Sequence, residues 1–328
     1  MELQQIAILL VLLIVPVMWY LSGSGSSESG CCHGCKDEAP KATPGVYAKS
    51  EFITVPKDAK TVKDLAERNE DDQFEFTLSA KKNLSPDTIQ LTFKFPNPEW
   101  TIGATVSQHL RIFNKPDCEP PCKPYTSISP INQKGSIDFV IKVYEKTEEY
   151  DEPKLSQYLN TLKVGEKVRF SPPFSKMSYL GDGNFRLQKT IVNKTKIGLI
   201  AGGTGITPIY QIMQAMHLAG DGSCEVKFLY SNKTTKDVLI EEQLNKIDRE
   251  MDNIDMKFTI TRQTKEEIAS KGNKFITGRP NLKMLQDLGF PKPDAGTLIL
   301  FCGPPAFNNA LEEELDEGGY KDGMYFRL

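Results

Sequence analysis

No long block of Lys or Arg occurs anywhere in the sequence, and its formal net charge is −3. The electrostatic footprint of a nucleic-acid-binding protein is therefore missing. A disulfide framework is missing too. The seven cysteines, Cys31, Cys32, Cys35, Cys118, Cys122, Cys224 and Cys302, are odd in number and unevenly placed, which suits a reducing compartment. Cys32 and Cys35 form a CxxC, but Lys36 stands where a c-type haem site needs His. Charge is absent from Ile6 to Leu21 (IAILLVLLIVPVMWYL), and only Glu2 precedes that run. With no basic n-region, it reads as an uncleaved membrane helix rather than a signal peptide. It is slightly shorter than the ~20 apolar residues of a typical span, and Trp19-Tyr20 at its end suits an interface. A cleaved signal peptide and a shallow insertion are the rival readings.

What is present is ordinary for a folded chain: 328 residues, 39% apolar and 25% charged. That length suggests two domains plus accessory segments. Residues 1–21 read as the anchor, and Ser22–Gly30 (SGSGSSESG) as a flexible spacer. Cys31, Cys32 and Cys35 lie in juxtamembrane position and either carry palmitate or stay unmodified in a tether. Residues 22–72 read as a stalk with one helical-looking stretch near Thr61 to Asn69.

From Gln73 short alternating runs begin, separated by Pro, Gly and Asn: Phe74 to Leu78, Thr88 to Phe95, Val106 to Phe113, Tyr125 to Ser129, Ile137 to Val143 and Lys167 to Phe170. Six such runs, interrupted by a helix near Leu155 to Leu162, predict a six-stranded antiparallel barrel over 73–172. Residues 173–195 read as a connector. From 196 to 328 apolar strands alternate with helices: strands at Ile197–Ala201, Val226–Tyr230, Met256–Thr261 and Thr297–Cys302, helices at Pro208–Ala219, Leu239–Arg249 and from Pro305. That rhythm predicts a doubly wound parallel sheet. The fold class is thus a two-domain β + α/β protein.

The sharpest motif is Gly202-Gly203-Thr204-Gly205-Ile206-Thr207-Pro208, leaving a buried strand and opening a helix. It is not GxGxxG, because Pro208 holds the last position. Its glycines let the backbone approach a pyrophosphate, and the helix start supplies free N–H groups. At the end of the last main strand stands Cys302-Gly303-Pro304-Pro305, where carboxyl ends of strands line a ligand crevice. In isolation Cys302 would pass as a small buried hydrophobe. In the barrel, Tyr125 offers a flat ring and Thr126 a hydroxyl, in the run Lys123-Pro124-Tyr125-Thr126-Ser127. Lys154-Leu155-Ser156 lie at a helix start, a second place for a pyrophosphate.

In this order the elements resemble the NADH–cytochrome b5 reductase family, within the ferredoxin–NADP reductase group, from about Phe74 to the last residue. Ser107-Gln108-His109 is similar to the family's GQH, Phe139–Tyr144 to its VIKVY strand, Ser156–Leu159 to its SQYL, and Tyr230–Thr234 to its (F/Y)xNxT. The resemblance implies FAD on the barrel and NADH on the second domain. It places Lys123, Pro124, Tyr125 and Thr126 at the flavin, with Thr126 near N5, and Val140 and Lys142 between flavin and nicotinamide. Lys154, Leu155 and Ser156 would hold the FAD pyrophosphate, and Thr207 would touch the flavin. Gly202, Gly203, Thr204, Gly205, Cys302, Gly303, Pro304 and Pro305 would frame NADH, with Thr126 and Cys302 beside the transferred hydride. His109 is expected to support the site without moving a proton.

Hydride would pass to FAD, and electrons would leave singly to cytochrome b5 or another small haem protein. The implied location is the cytosolic face of the endoplasmic reticulum or mitochondrial outer membrane. A structural subunit that keeps the fold with weak flavin binding is the alternative. It is motivated by three departures: Lys123 for an Arg that grips the pyrophosphate, Pro153 for a Gly, and Glu145-Lys146 for an aromatic. Cys118 and Cys122 read as an ordinary loop pair rather than half of a zinc site. The family's carboxylate after the strand at Met256–Thr261 is replaced by Thr261-Arg262-Gln263-Thr264-Lys265. NADH is therefore expected as the main donor with NADPH also accepted, Arg262 or Lys265 pairing with the extra phosphate and Asp237 or Glu266 the only candidate guards.

Overall fold

The computed structural model describes residues 52–55, 57–69, 71–115, 121–144 and 155–328. The apolar run 6–21, the spacer, Cys31, Cys32, Cys35, Cys118, Glu145, Lys146, Pro153 and Lys154 lie outside the described residues.

The first layer is an antiparallel six-stranded sheet: β1 (Phe74–Ser85), β2 (Thr88–Lys94), β3 (Leu110–Phe113), β4 (Cys122–Tyr125), β5 (Ser136–Lys142) and β6 (Lys167–Phe170), ordered β4-β3-β6-β1-β2-β5. Period-two alternation drives it. Phe74, Phe76 and Leu78 on β1 point inward and join Phe93, Phe139 and Phe170 in one aromatic core, all 1% exposed or less. The sequence places a strand at Tyr125–Ser129, but the chain leaves the ladder at Tyr125 and turns across toward β5. There Ile128 N–H donates to Asp138 O (2.9 Å) and Asp138 N–H to Ser129 Oγ (2.8 Å). This crossing links the two edges of the sheet and swings Thr126 out of the strand. Val106 to His109, also expected as strand, makes only isolated bridges to Tyr179 and Phe174, because Ser107 has φ +71° and breaks the pleat. Helix α2 (Leu155–Thr161) sits where expected; the earlier short helix α1 is Val62–Leu65.

Two stretches differ from the sequence reading. Residues expected as the end of a polar stalk pack onto the body, with Ile53 7% and Val62 0% exposed. The expected connector is a three-stranded sheet of β7 (Met177–Gly181), β8 (Asn184–Leu187) and β9 (Thr190–Asn193). Its first turn, Asp182-Gly183, has both φ positive (51° and 73°), the hairpin turn that an Asp-Gly pair favours.

The last layer is a parallel sheet of β10 (Lys196–Gly202), β11 (Glu225–Asn232), β12 (Ile254–Ile260), β13 (Phe275–Thr277), β14 (Thr297–Cys302) and β15 (Tyr325–Arg327), ordered β13-β12-β11-β10-β14-β15. β10 and β14 are buried almost throughout, as strands covered on both faces must be. Helices α3 (Ile206–Ala219) and α4 (Glu241–Glu250) cover one face. Helices α6 (Leu282–Asp287) and α7 (Pro305–Glu317) cover the other, and the short α5 (Lys265–Ile268) lies beyond β12. The core under α3 continues into Val106, Ile128, Val140 and Tyr179, so both sheets share apolar packing beside the site.

Candidate active site

Two strand ends create the centre of the site. Ala201 on β10 is in register with Cys302 on β14, so the glycine turn and the Cys-Gly-Pro-Pro turn emerge side by side although a hundred residues separate them in sequence. The approach is closer than any side chain permits. A β-carbon on Gly205 would lie 2.1 Å from Cys302 O and 2.7 Å from Gly303 N. Gly205 thus serves the contact between the two turns, while Gly203 (φ +55°) serves the bend itself. Pro305 opens α7 at its first position, where a missing N–H costs nothing.

Facing these turns across a cavity of about 510 Å³ is the six-stranded sheet. Pro124, Tyr125, Thr126, Val140 and Lys142 form one wall; Thr204, Gly205, Thr207, Cys302, Gly303 and Pro304 form the other. A second cavity, about 420 Å³, runs on from Gly202, Gly203 and Thr204 along the parallel sheet, sharing Lys142, Tyr144, Thr204 and Pro304 with the first. The expected flavin residues and the expected nucleotide residues therefore meet in one continuous cleft.

Four expected residues line neither cavity: Pro305, which opens α7, and the three that follow. Lys123 is exposed on the edge strand β4 and lines neither cavity. The Leu155 side chain is wholly buried in the sheet core, and Ser156 Oγ accepts from Tyr144 N–H (3.2 Å). Leu155 can contribute only its backbone there, whereas the Ser156 hydroxyl, which accepts in this bond, keeps its O–H for an oxyanion.

The site is electrostatically quiet except at Lys142. Burial disfavours its charge, but Asp87 at 2.7 Å and Asp237 at 3.4 Å outweigh this and hold its pKa above the usual value. Burial pushes the Cys302 thiol up to about 11 and raises Tyr125 as well. His109 is lowered, first by burial and then by Arg111, and its ring packs edge-on against Phe174 at 4.2 Å. With His109 kept neutral, Lys142 kept charged and the protons of Cys302 and Tyr125 held on, none of these four wall groups changes charge between about pH 7 and 9. The rate of flavin reduction measured by stopped flow should accordingly stay flat over that range. A bell-shaped profile centred within it would reveal a proton-transfer step.

Sequence reading missed Gln211, which lies one turn into α3. Its side chain is 3% exposed. Oε1 accepts from Ser107 N–H (2.5 Å), and Nε2 donates to Ser127 Oγ (3.2 Å) and Ser127 O (3.3 Å). Gln214 Nε2 adds a bond to Ile128 O (3.1 Å). The two glutamines fasten the helix that starts at the glycine turn to the segment carrying Thr126. A polar residue amid the apolar positions of this helix was the available signal.

The residues suit FAD and NADH. A flat tyrosine, Val140 and Ile141 offer apolar walls with few polar groups, as cofactor clefts do. In the second cavity the Asn232 amide is 5% exposed with no well-formed hydrogen bond, a group awaiting a polar partner.

Comparison with known proteins agrees with this arrangement. The oxidoreductase FAD-binding domain model matches residues 75–179, and the oxidoreductase NAD-binding domain model matches residues 199–313. Human NADH-cytochrome b5 reductase 1 is 33% identical over 260 residues, 76% of this chain and 83% of that protein. Human NADH-cytochrome b5 reductase 2 is 30% identical over 77% of this chain and 94% of its own length. Among solved structures, the cytochrome b5 reductase domain of Ulva prolifera nitrate reductase superposes with a TM-score of 0.69 at 27% identity, covering 80% of this chain and 98% of that domain. One cleft built from two sheets, with its motifs in order, thus comes with relatives that share both domains, and the chain belongs to the NADH–cytochrome b5 reductase family as an FAD-dependent NADH oxidoreductase.

Proposed function

We propose that this enzyme passes electrons singly to a small haem protein such as cytochrome b5, from a membrane surface to which the apolar run 6–21 tethers it. The observation that carries the catalytic part is the continuous cleft between the Thr126 segment and the paired glycine and Cys-Gly-Pro-Pro turns. When bound, FAD supplies acceptance of a hydride from NADH and release of electrons one at a time. The chain supplies position and environment. Tyr125 presents a neutral flat ring and Thr126 a hydroxyl 9% exposed, and Val140, in the same wall, would border both cofactors. Lys142, kept charged and fixed in place by Asp87 and Asp237, would offer a positioned donor where the two cavities meet. The Cys302 thiol stays neutral and helps exclude water. Backbone N–H groups of 154–156 would hold the FAD pyrophosphate, and those of 202–205 the nucleotide, with Pro304 and Pro305 fixing the second turn.

Residues 1–21 would serve as anchor and the stretch from 22 up to the packed segment at Ile53 as linker, with 73–172 as the FAD domain, the three-stranded sheet within 173–195 as a structured connector and 196–328 as the nucleotide domain. Among the described residues no helix is long and apolar enough to cross a membrane, and the proposed anchor lies outside them. A cytosolic face of the endoplasmic reticulum or mitochondrial outer membrane suits a tether that raises the effective concentration of a membrane-bound acceptor.

Deleting residues 1–30 should release a soluble protein that still reduces ferricyanide and soluble cytochrome b5 with NADH, since the buried residues from Ile53 onward and both cavities lie beyond the cut. Retention of the truncated protein in the membrane pellet would contradict the tether. Reduction of ferricyanide without reduction of cytochrome b5 would contradict the acceptor.

A further inference from the structure

The outer end of the nucleotide cavity carries positive charge for which the steps above have no use. Three adjacent parallel strands end there in register: Asn232 on β11 beside Ile260 on β12, and Ile260 beside Thr277 on β13. Backbone pairing continues past them, with Thr261 N–H donating to Asn232 O (2.9 Å) and Gly278 N–H to Ile260 O (3.0 Å). Lys233, Thr261 and Arg279, just beyond the three strand ends, thereby stand in a row along the cavity rim. Among the described residues neither Lys233 nor Arg279 has an ion pair or side-chain hydrogen bond, and both are exposed. Among the described residues the cavity holds one carboxylate, Asp237, and it is engaged: it accepts from Thr234 N–H (2.9 Å) and Thr234 Oγ1 (2.8 Å) and pairs with Lys142 (3.4 Å).

In doubly wound sheets, an acid at a strand end favours an unmodified ribose, whereas a nearby Arg accommodates a 2′-phosphate. Here no acid occupies any of the three rim positions. Of the cations expected from the sequence, Arg262 does not line the cavity, although its N–H donates to Lys233 O (2.9 Å), and Lys265 lines a different cavity beside α6. Gln263, at the place expected for a carboxylate, accepts from Thr235 N–H (2.7 Å) and supports the loop.

We propose that Lys233, Thr261 and Arg279 form a subsite for the 2′-phosphate of an adenine nucleotide, so that the enzyme takes NADPH as well as NADH. This rests on the nucleotide cleft proposed above. Arg279 brings a planar fork able to hold two phosphate oxygens, Lys233 a mobile point charge, and Thr261 a neutral hydroxyl where an acid would repel.

The test compares kcat/KM for NADH and NADPH in the full chain and in Arg279→Ala, Lys233→Ala and Thr261→Asp, and measures calorimetric binding of adenosine 2′-monophosphate and adenosine 5′-monophosphate. The parent protein should use NADPH within about tenfold of NADH and bind the 2′-monophosphate more tightly. Each variant should lose about 10- to 100-fold toward NADPH and weaken the 2′-monophosphate in parallel, with NADH changed less than about twofold. An equal loss toward both dinucleotides would overturn the subsite, because the cations would then hold a group that NADH shares. A discrimination of about a thousandfold against NADPH in the parent protein would overturn it too. Failure of NADH itself to reduce the flavin would instead strike the cleft on which the subsite depends.

Discussion

Gly205→Ala is expected to lose most NADH-dependent flavin reduction while retaining flavin. The added methyl would sit 2.1 Å from Cys302 O and 2.4 Å from its carbonyl carbon, both backbone atoms of a neighbouring strand end. No rotamer relieves such a contact, so the glycine turn and the Cys-Gly-Pro-Pro turn must part. Overpacking of this kind costs about 1–3 kcal/mol or more, and Gly205 is buried where little can yield. Parting the turns shifts Thr204 and Thr207 relative to Cys302 across the cleft. Misplacement by about 1 Å of groups that position reactants costs on the order of 100-fold in rate. The flavin-side residues Tyr125, at the end of β4 on the other sheet, and Thr126, just beyond it, are not touched by the added methyl, so visible absorbance should persist. The check is stopped-flow reduction by NADH together with the flavin spectrum. A variant that reduces at the parental rate would show that the two turns do not act as a unit. Gly203→Ala is the control: its β-carbon meets nothing within 4 Å and only the positive φ opposes it, about 1 kcal/mol.

Gln211→Leu should be the second large effect. The substitution fills similar volume but removes an acceptor for Ser107 N–H and a donor for Ser127, in a setting closed to water. Leaving buried polar groups unpaired costs about 1–3 kcal/mol each. Ser107 adds a second penalty. A residue with a β-carbon is held at φ +71°, and Gln211 is what pins its N–H. Thermal unfolding should fall by about 5–10 °C, and flavin reduction should slow by about tenfold or more as the Thr126 segment loses its tie to α3. Loss of thermal stability with an unchanged reduction rate would reduce Gln211 to a packing residue. Gln211→Glu, which keeps the acceptor for Ser107, should recover part of the stability.

Much of this was legible in the sequence, and for identifiable reasons. Strands such as β1 and β2 declare themselves by alternation, and β10 and β14 by continuous apolar runs. The glycine and Cys-Gly-Pro-Pro motifs are contiguous stretches whose residues act where they stand. Less legible were features made by distant segments meeting. Strands β7 to β9 are only four or five residues long and their order depends on pairing with one another; the Asp182-Gly183 turn was the one local cue. Ser107 reads as an ordinary strand residue until its φ is known. Sequence alone points to cations next to Gln263, because distance along the chain stands in for distance in space. Sheet register instead brings Lys233 and Arg279, forty-six positions apart, to the same edge. Leu155 shows the converse: a residue inside a matched motif whose side chain belongs to the core.

The central claim is that one cleft carries hydride from NADH to a flavin held by this chain. The most direct measurement is the visible spectrum of the purified protein, reconstituted with FAD and titrated anaerobically with NADH. The account predicts a yellow protein whose flavin absorbance bleaches with about one equivalent of NADH. A protein that takes up no FAD, or a yellow one whose absorbance NADH leaves unchanged, would contradict it.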